Sequence, residues 1–131
     1  IKELEIFLQK TVSEIHDNCH QHKVENLIGC SGSFDSFADM VCFKKTGTRF
    51  DSLHHSTFSF DTEELFLLLN EIESTSSAER QHIQGLSHMR RDFIVYAAVL
   101  CRMVMEQCHI KNVFLSVYSL KEGVFFSRLN K

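Results

Sequence analysis

The sequence predicts an α/β domain with few parallel strands and many helices, and three observations indicate this fold class. Two segments have the composition of strands, Val24 to Ile28 and Asn112 to Tyr118. Long stretches with helical periodicity separate them. Capping signals precede several of these stretches. Strands that are joined through helices lie parallel with a right-handed crossover, so we expect a parallel sheet.

Composition indicates a globular protein with one domain over residues 1–131, in which 44% of residues are hydrophobic and 24% are charged. The formal net charge of −3 gives no general attraction to nucleic acid or to anionic lipid. The longest apolar run, Phe93 to Cys101, is far shorter than the roughly 20 residues of a membrane span. Five scattered cysteines favour reduced thiols in the cytoplasm. Because the chain begins at Ile1, we expect it to be a piece of a longer protein.

The first half of the chain is predicted to be helix, strand, glycine turn and helix. An opening amphipathic helix follows from apolar residues spaced three and four apart: Ile1, Leu4, Leu8, Val12, Ile15 and Cys19. The strand Val24 to Ile28 then enters the turn GCSGS, after which Ser33 is placed to cap a second helix. Residues 44–60 have no clear period and are predicted to form a loop with at most one short extended piece.

The second half is predicted to be mostly helical, with a helical insertion over about residues 46–89. Asp61 and Ser76 each precede a glutamate by three residues, which is typical of helix starts, and Gly85 is predicted to end the second of these helices. Residues 89–108 are apolar on nearly every face and predict a central helix between other elements. Ser119 and Glu122 form a third capping pair before the last helix.

A sheet of only two strands leaves a long edge unpaired. We therefore expect the missing strands to come from another part of a longer protein, an N-terminal half, or from a second copy of the chain.

The turn that contains Gly29 and Gly32 is the first candidate site. A glycine turn between a strand and a helix lets backbone amides approach a phosphate, and the helix start adds partial positive charge. The alternative is that the glycines only make a sharp turn. Asp35 in the first helical turn supports this alternative, because it already supplies an anion to the helix dipole.

Three motifs in the right order resemble the Ppx/GppA family of exopolyphosphatases and guanosine pentaphosphate phosphatases. The turn IGCSGS stands where the family has its glycine turn. Residues that match the family's two later blocks are Arg80, Gly85, Leu86, Arg90, Asp92, Ile94, Ser116, Leu120, Glu122 and Gly123. The chain departs from the pattern at Cys30 and Ser31, at Arg91, and at Lys121, where arginine is usual.

The resemblance implies the C-terminal half of a ribonuclease H-like, actin-like ATPase fold. It also implies phosphate binding by the turn and by one arginine, namely Gly29, Ser31, Gly32, Ser33 and Arg90. The motif residues that it implies have structural roles are Arg80, Gly85, Asp92, Ser116, Glu122 and Gly123. The family's two N-terminal phosphate loops and its catalytic glutamate have no counterpart in this sequence.

The function implied by the resemblance is hydrolysis of terminal phosphoanhydride bonds in the full-length protein. Its substrate would be inorganic polyphosphate or guanosine pentaphosphate, and Mg²⁺ would be bound mainly by the absent half. We expect this chain alone to be inactive, with no catalytic residue of its own. The alternative is a non-catalytic binding or dimerisation module derived from the family.

Three side-chain groups have competing interpretations. Arg90 could bind phosphate, since a guanidinium suits bidentate anion binding, or could form an ion pair with Asp92 or Asp39. The spacing from Ser119 makes Glu122 a helix cap rather than an acid or base. The pattern HxxCHxH, residues 16–22, could hold a metal on a helix, but no second ligand cluster is evident and no metal site is predicted. The basic residues around Arg90 are too few for a nucleic-acid surface.

Overall fold

The structure, a computed structural model, describes residues 1–129, with residues 11 and 14 described by their backbone alone. A 3₁₀ turn, His88–Arg90, accompanies nine helices and strands within these residues. In chain order these are α1 (Lys2–His22), β1 (Asn26–Cys30), α2 (Gly32–Thr46), β2 (Thr57–Phe60), α3 (Thr62–Ser74), α4 (Ser77–Arg80), α5 (Ile94–Gln107), β3 (Asn112–Ser116) and α6 (Leu120–Leu129). The predicted helix-rich α/β class is confirmed.

The sheet has the strand order β1-β3-β2. β1 lies parallel to β3, as predicted, with Leu27 opposite Val113. β2 lies antiparallel on the other side of β3, with Phe60 also opposite Val113. The expectation that every missing strand must come from outside the chain is therefore wrong, because β2 covers the second edge of β3. Its four residues are too few for a period to stand out in the sequence.

The core lies between the sheet and the helices that pack on it. β3 contributes Val113 and Leu115, which are completely buried. The helices contribute further buried side chains: Phe37 and Met40 from α2, Leu65, Leu69 and Ile72 from α3, and Ile94 and Ala98 from α5. No helix in residues 1–129 combines the length and apolar character needed to cross a membrane.

The central position of α5 is confirmed, since it packs against both α3 and α1. Its start was predicted too early: the helix begins at Ile94, residues 88–90 form the 3₁₀ turn and residues 91–93 form a turn. The prediction for Gly85 was also wrong, because α4 ends at Arg80 and Gly85 lies in the loop that follows. Both errors fall in a segment whose path depends on contacts with α2.

Capping hydrogen bonds form at all three helix starts where the sequence predicts them. The Asp61 carboxylate accepts from the amide of Glu64 at 2.9 Å at the start of α3. Ser76 and Glu79 form a complete capping box on α4. At α6, the Glu122 carboxylate accepts from both the backbone N–H and the hydroxyl of Ser119, each at 2.8 Å. Local sequence signals therefore fix these three helix starts.

Arg102 joins three helices through a cluster of ion pairs. Its guanidinium reaches Glu5 on α1 at 2.5 Å, Glu73 on α3 at 2.8 Å and Glu106 on α5 at 2.9 Å. The side chain of Arg102 is only 14% exposed. The hydrogen bonds that Arg102 donates to Glu73 are the main cause of its raised pKa, so the group stays charged. The cluster fixes how α1 and α3 lie on α5.

We expect the substitution Arg102→Ala to lower the free energy of unfolding by about 2–4 kcal/mol, because it leaves two poorly exposed carboxylates without their cation. Lys44→Ala, which removes an exposed pair with Glu71, should cost less than about 1 kcal/mol. Urea denaturation of the two variants measures both losses in the free energy of unfolding. Equal losses would show that the Arg102 cluster is no stronger than a surface pair.

The start of α6 should loosen in acid. The pKa of Glu122 is lowered from its ordinary 4.5 to about 2, mainly because the carboxylate accepts a hydrogen bond from the Ser119 backbone N–H. A pKa that is lower in the folded state means that the charged cap stabilises the helix above pH about 4.5 and that this stabilisation is lost as pH falls toward 2. Amide exchange in residues 120–129 should accelerate beyond its intrinsic pH dependence across this window, and Glu122→Gln should abolish the effect. The same pH dependence in the variant would contradict the assignment.

Candidate functional site

A pocket of about 460 Å³ lies where β1 runs into α2. Four predicted site residues form its polar rim: Ser31, Gly32, Ser33 and Arg90. Its remaining lining is mostly apolar and comes from β1, α2 and α5: Leu27, Cys30, Phe34, Phe37, Ala97, Leu100, Cys101 and Val104. The pocket thus joins a strand-to-helix turn to an arginine that is distant in the sequence.

The turn has an unusual backbone at two successive residues. Ser31 has a φ of 63° and a ψ of 165°, and Gly32 has a φ of 38°, so both residues adopt a positive φ that L-residues rarely adopt. α2 begins at Gly32 with Ser31 as its N-cap, and Ser31 makes no side-chain cap hydrogen bond. The predicted cap Ser33 is therefore wrong, because it lies inside the first turn. The start of α2 directs its backbone N–H groups and its partial positive charge toward the pocket rim.

Gly29 near the end of β1 and Gly32 at the start of α2 are each required by a close contact. A Cβ at Gly29 would lie 2.1 Å from the ring of Phe34. A Cβ at Gly32 would lie 2.6 Å from both terminal nitrogens of Arg90. Gly29 is buried and does not line the pocket, so its position supports packing of Phe34. Gly32 lies in the rim and leaves room for the guanidinium.

Arg90 comes from the 3₁₀ turn before α5, and its guanidinium lies over Gly32. Neither of the alternative ion pairs considered for it is formed within residues 1–129: Asp39 instead lies 3.7 Å from Arg49 and accepts from the amide of Phe50 at 3.2 Å. Burial raises the pKa of Asp39 even though Arg49 opposes the shift. The exposed Arg90 charge is thus directed at the rim without a carboxylate partner in the described part of the chain.

Two motif residues hold the segment that carries Arg90. Arg80 donates from Nε to the carbonyl of Arg91 at 2.8 Å and from Nη1 to the carbonyl of Thr75 at 2.6 Å. Gly85, with a φ of 85°, packs against α2 so closely that a Cβ there would lie 2.9 Å from the backbone of Asp39. These contacts link the start of α4 to the start of α5 and press the loop between them onto α2. Arg80 and Gly85 are therefore positioning residues for Arg90.

The other motif residues lie outside the pocket lining. Ser116 ends β3, and its hydroxyl bonds to the backbone N–H and carbonyl of Tyr118. Glu122 caps α6, as predicted, and Gly123 lies inside that helix. Asp92 is exposed between Arg91 and Phe93. These placements agree with structural rather than chemical roles.

The apolar floor of the pocket was not found by sequence reasoning. Ala97, Leu100 and Val104 of α5 lie beside Leu27 of β1, and they bring an apolar surface directly below the polar rim. The only signal in the sequence was that α5 is apolar on nearly every face, which indicates burial but does not say against what. The pocket is therefore a product of the tertiary structure.

The lining of this pocket does not fit a Mg²⁺ ion. Mg²⁺ prefers carboxylate and other oxygen ligands, and no aspartate or glutamate lines the pocket. Residues 1–129 contain no group of three or more histidine, cysteine or acidic side chains that could hold a metal ion. The pocket can bind an anion through amides and Arg90, but it offers no carboxylate to hold a metal or to activate water.

Comparison with known proteins assigns a family. The family model described as the Ppx/GppA phosphatase family matches residues 1–131. No curated protein matches the sequence. An exopolyphosphatase structure from Cytophaga hutchinsonii is 23% identical with a TM-score of 0.85, and the match covers 98% of this chain and 41% of that one. The structure of the Aquifex aeolicus member of the Ppx/GppA family is 17% identical with a TM-score of 0.75. The match covers 98% of this chain and 40% of that one. Both likenesses confirm the fold class, and the chain spans about two fifths of either relative.

We expect Gly29→Ala to destabilise the fold by about 1–3 kcal/mol, because the new methyl group overlaps the Phe34 ring in a packed region. Gly123→Ala is the matched control, since nothing lies within 4 Å of the position and it is inside a helix. That control should leave stability unchanged or raise it by up to about 1 kcal/mol. Denaturant unfolding measures both. A Gly29 variant as stable as the control would show that the Phe34 ring moves without cost.

Proposed function

The chain belongs to the Ppx/GppA phosphatase family, and from this we propose that it is the C-terminal part of an enzyme that hydrolyses terminal phosphoanhydride bonds. The substrate that we propose is inorganic polyphosphate. The support is the fold shared with the Cytophaga exopolyphosphatase over nearly the whole of this chain. Guanosine pentaphosphate is the second substrate to test, since it is also a linear anionic phosphoanhydride. All five cysteines are free thiols, which fits the proposed location in the cytoplasm.

The observation that carries the proposal is the convergence of the turn and Arg90 on one pocket rim. A helix start whose cap residue makes no side-chain hydrogen bond offers amide donors to phosphate oxygens. The guanidinium over Gly32 adds donors in a fixed planar fork, which suits two phosphate oxygens at once. This chain would therefore orient the anionic end of the substrate.

No carboxylate lines the pocket, so two parts of the proposed enzyme would supply different groups to the reaction. Hydrolysis of a phosphoanhydride needs an oriented water, a base and stabilisation of the developing charge, for which Mg²⁺ is the proposed ion. Since the lining supplies no base and no ligand of the kind that Mg²⁺ prefers, these groups would come from the rest of the longer protein. We propose that this chain alone binds phosphate without hydrolysing it.

We expect Arg90→Ala to weaken the binding of tripolyphosphate to this chain about tenfold to a hundredfold, because charge-assisted hydrogen bonds are lost. Arg128→Ala removes the same charge from α6, away from the pocket lining, and should leave the affinity nearly unchanged. Isothermal titration calorimetry at one fixed salt concentration measures both. Equal losses in the two variants would mean that binding depends on general charge and not on this pocket.

Phosphate release completes the test of the proposed activity. The longer protein should release phosphate from polyphosphate with Mg²⁺, whereas this chain alone should release none. Arg90→Ala in the longer protein should lower kcat/KM by a similar factor. Binding without any release by the longer protein would favour the non-catalytic module instead.

A further inference from the structure

The pocket between β1 and α5 has an apolar floor that a purely ionic ligand cannot use. Eight of the twelve residues that line it are apolar, and the other four form the polar rim. Polyphosphate is charged along its whole length, and burial of a charge against apolar groups is unfavourable. The proposed function therefore uses the rim and gives the floor no part.

The floor extends away from the rim along two elements. Ala97, Leu100 and Val104 follow a spacing of three and four residues, so they share one face of α5. At 1.5 Å per residue they cover about 10 Å of the helix. β1 ends at the rim, and α5 begins just after the turn that carries Arg90, so Leu27 and Val104 mark the end of the floor away from the rim. The floor is therefore an apolar furrow that begins beside the guanidinium.

The floor is held by the core and remains open to solvent. Leu27, Ala97 and Val104 are partly buried and pack against the core. Leu100 is 41% exposed. A volume of about 460 Å³, with a mostly apolar lining and a few polar groups at one end, is typical of pockets for small organic ligands. Covering this surface with an apolar group would be favourable.

The rim determines which end of a ligand it receives. Arg90 is exposed, and no aspartate or glutamate lines the pocket. The start of α2 adds partial positive charge at the same rim. An anionic group is therefore favoured at the rim and an uncharged group on the floor.

We propose that this pocket binds a soluble phosphate ester whose apolar group lies on the floor between β1 and α5, a proposal that rests on the proposed function for the binding of phosphate at the rim. The ester and polyphosphate would exclude each other, because both would use Arg90 and the start of α2. A phosphate ester of this class would therefore be a competitive inhibitor of the proposed hydrolysis.

The test compares methyl phosphate, octyl phosphate and octanol as ligands of this chain by isothermal titration calorimetry, with octyl phosphate kept below its micelle concentration. Octyl phosphate should bind about tenfold or more tightly than methyl phosphate, because its chain covers the floor. Octanol should bind about tenfold or more weakly than octyl phosphate, because it offers no anion to Arg90. Octyl phosphate should also displace tripolyphosphate from this chain, and it should bind to the longer protein.

A substitution on the floor shows where the octyl chain lies. Leu100→Gln places a polar side chain there and keeps a good helix former at an exposed position. It should lower the ratio of the octyl phosphate affinity to the methyl phosphate affinity by about threefold or more. Leu67→Gln is the matched control, because Leu67 is an exposed leucine of α3 outside the pocket lining. The control should keep the ratio of the unaltered chain.

Four outcomes would overturn the proposal. These are equal affinities for octyl and methyl phosphate, equal affinities for octyl phosphate and octanol, an equal fall of the ratio in the two variants, and no binding of octyl phosphate to the longer protein. In the last case the rest of that protein would cover the floor.

The same titrations separate this proposal from the proposed function. Tripolyphosphate binding with no preference for octyl over methyl phosphate would leave the proposed function intact and reject the phosphate ester. A preference for octyl phosphate that Leu100→Gln removes, without any binding of tripolyphosphate, would support the phosphate ester and reject polyphosphate as the substrate.

Discussion

The burial of β3 between β1 and β2 is the constraint on which the rest of this structure depends. Val113 and Leu115 are completely buried, and both flanking strands pair with this one strand. Because β1 must lie parallel to β3, Cys30 at its end is set beside Ser116 at the end of β3. The turn into α2 therefore opens at the carboxyl edge of the sheet, which is where parallel α/β sheets generally place their ligands.

The pocket depends on two kinds of interaction that act on different scales. The positive-φ backbone of Ser31 and Gly32 is local and exposes the start of α2. The position of Arg90 depends on contacts between distant segments. These are the hydrogen bonds of Arg80 to two carbonyls and the close approach of Gly85 to α2. Neither part by itself brings a cation to a helix start. Their combination places a cation beside a helix start, with no carboxylate in the pocket lining to neutralise it.

The last helix exposes apolar side chains, and the chain spans 41% of the length of its Cytophaga relative. In residues 120–129, α6 buries none of its side chains, and Leu120 is 83% and Phe125 is 60% exposed. A contiguous apolar face of this kind is typical of an interaction surface. The lining of the pocket provides amide and guanidinium donors and contains no acidic side chain.

The sequence by itself determined the capped starts of α3, α4 and α6, the two parallel strands and the turn, because capping pairs, periodicity and glycines act over a few residues. Ser76 with Glu79 and Ser119 with Glu122 are such cases. The sequence also indicated the family, because three motifs resemble it in the right order. Only the tertiary structure decided that β2 joins the sheet, that Gly29 makes room for Phe34 while Gly32 makes room for Arg90, and that α5 lies beside β1 at the apolar floor of the pocket. These features are contacts between segments far apart in the chain, and such contacts leave no periodic or local signal in the sequence.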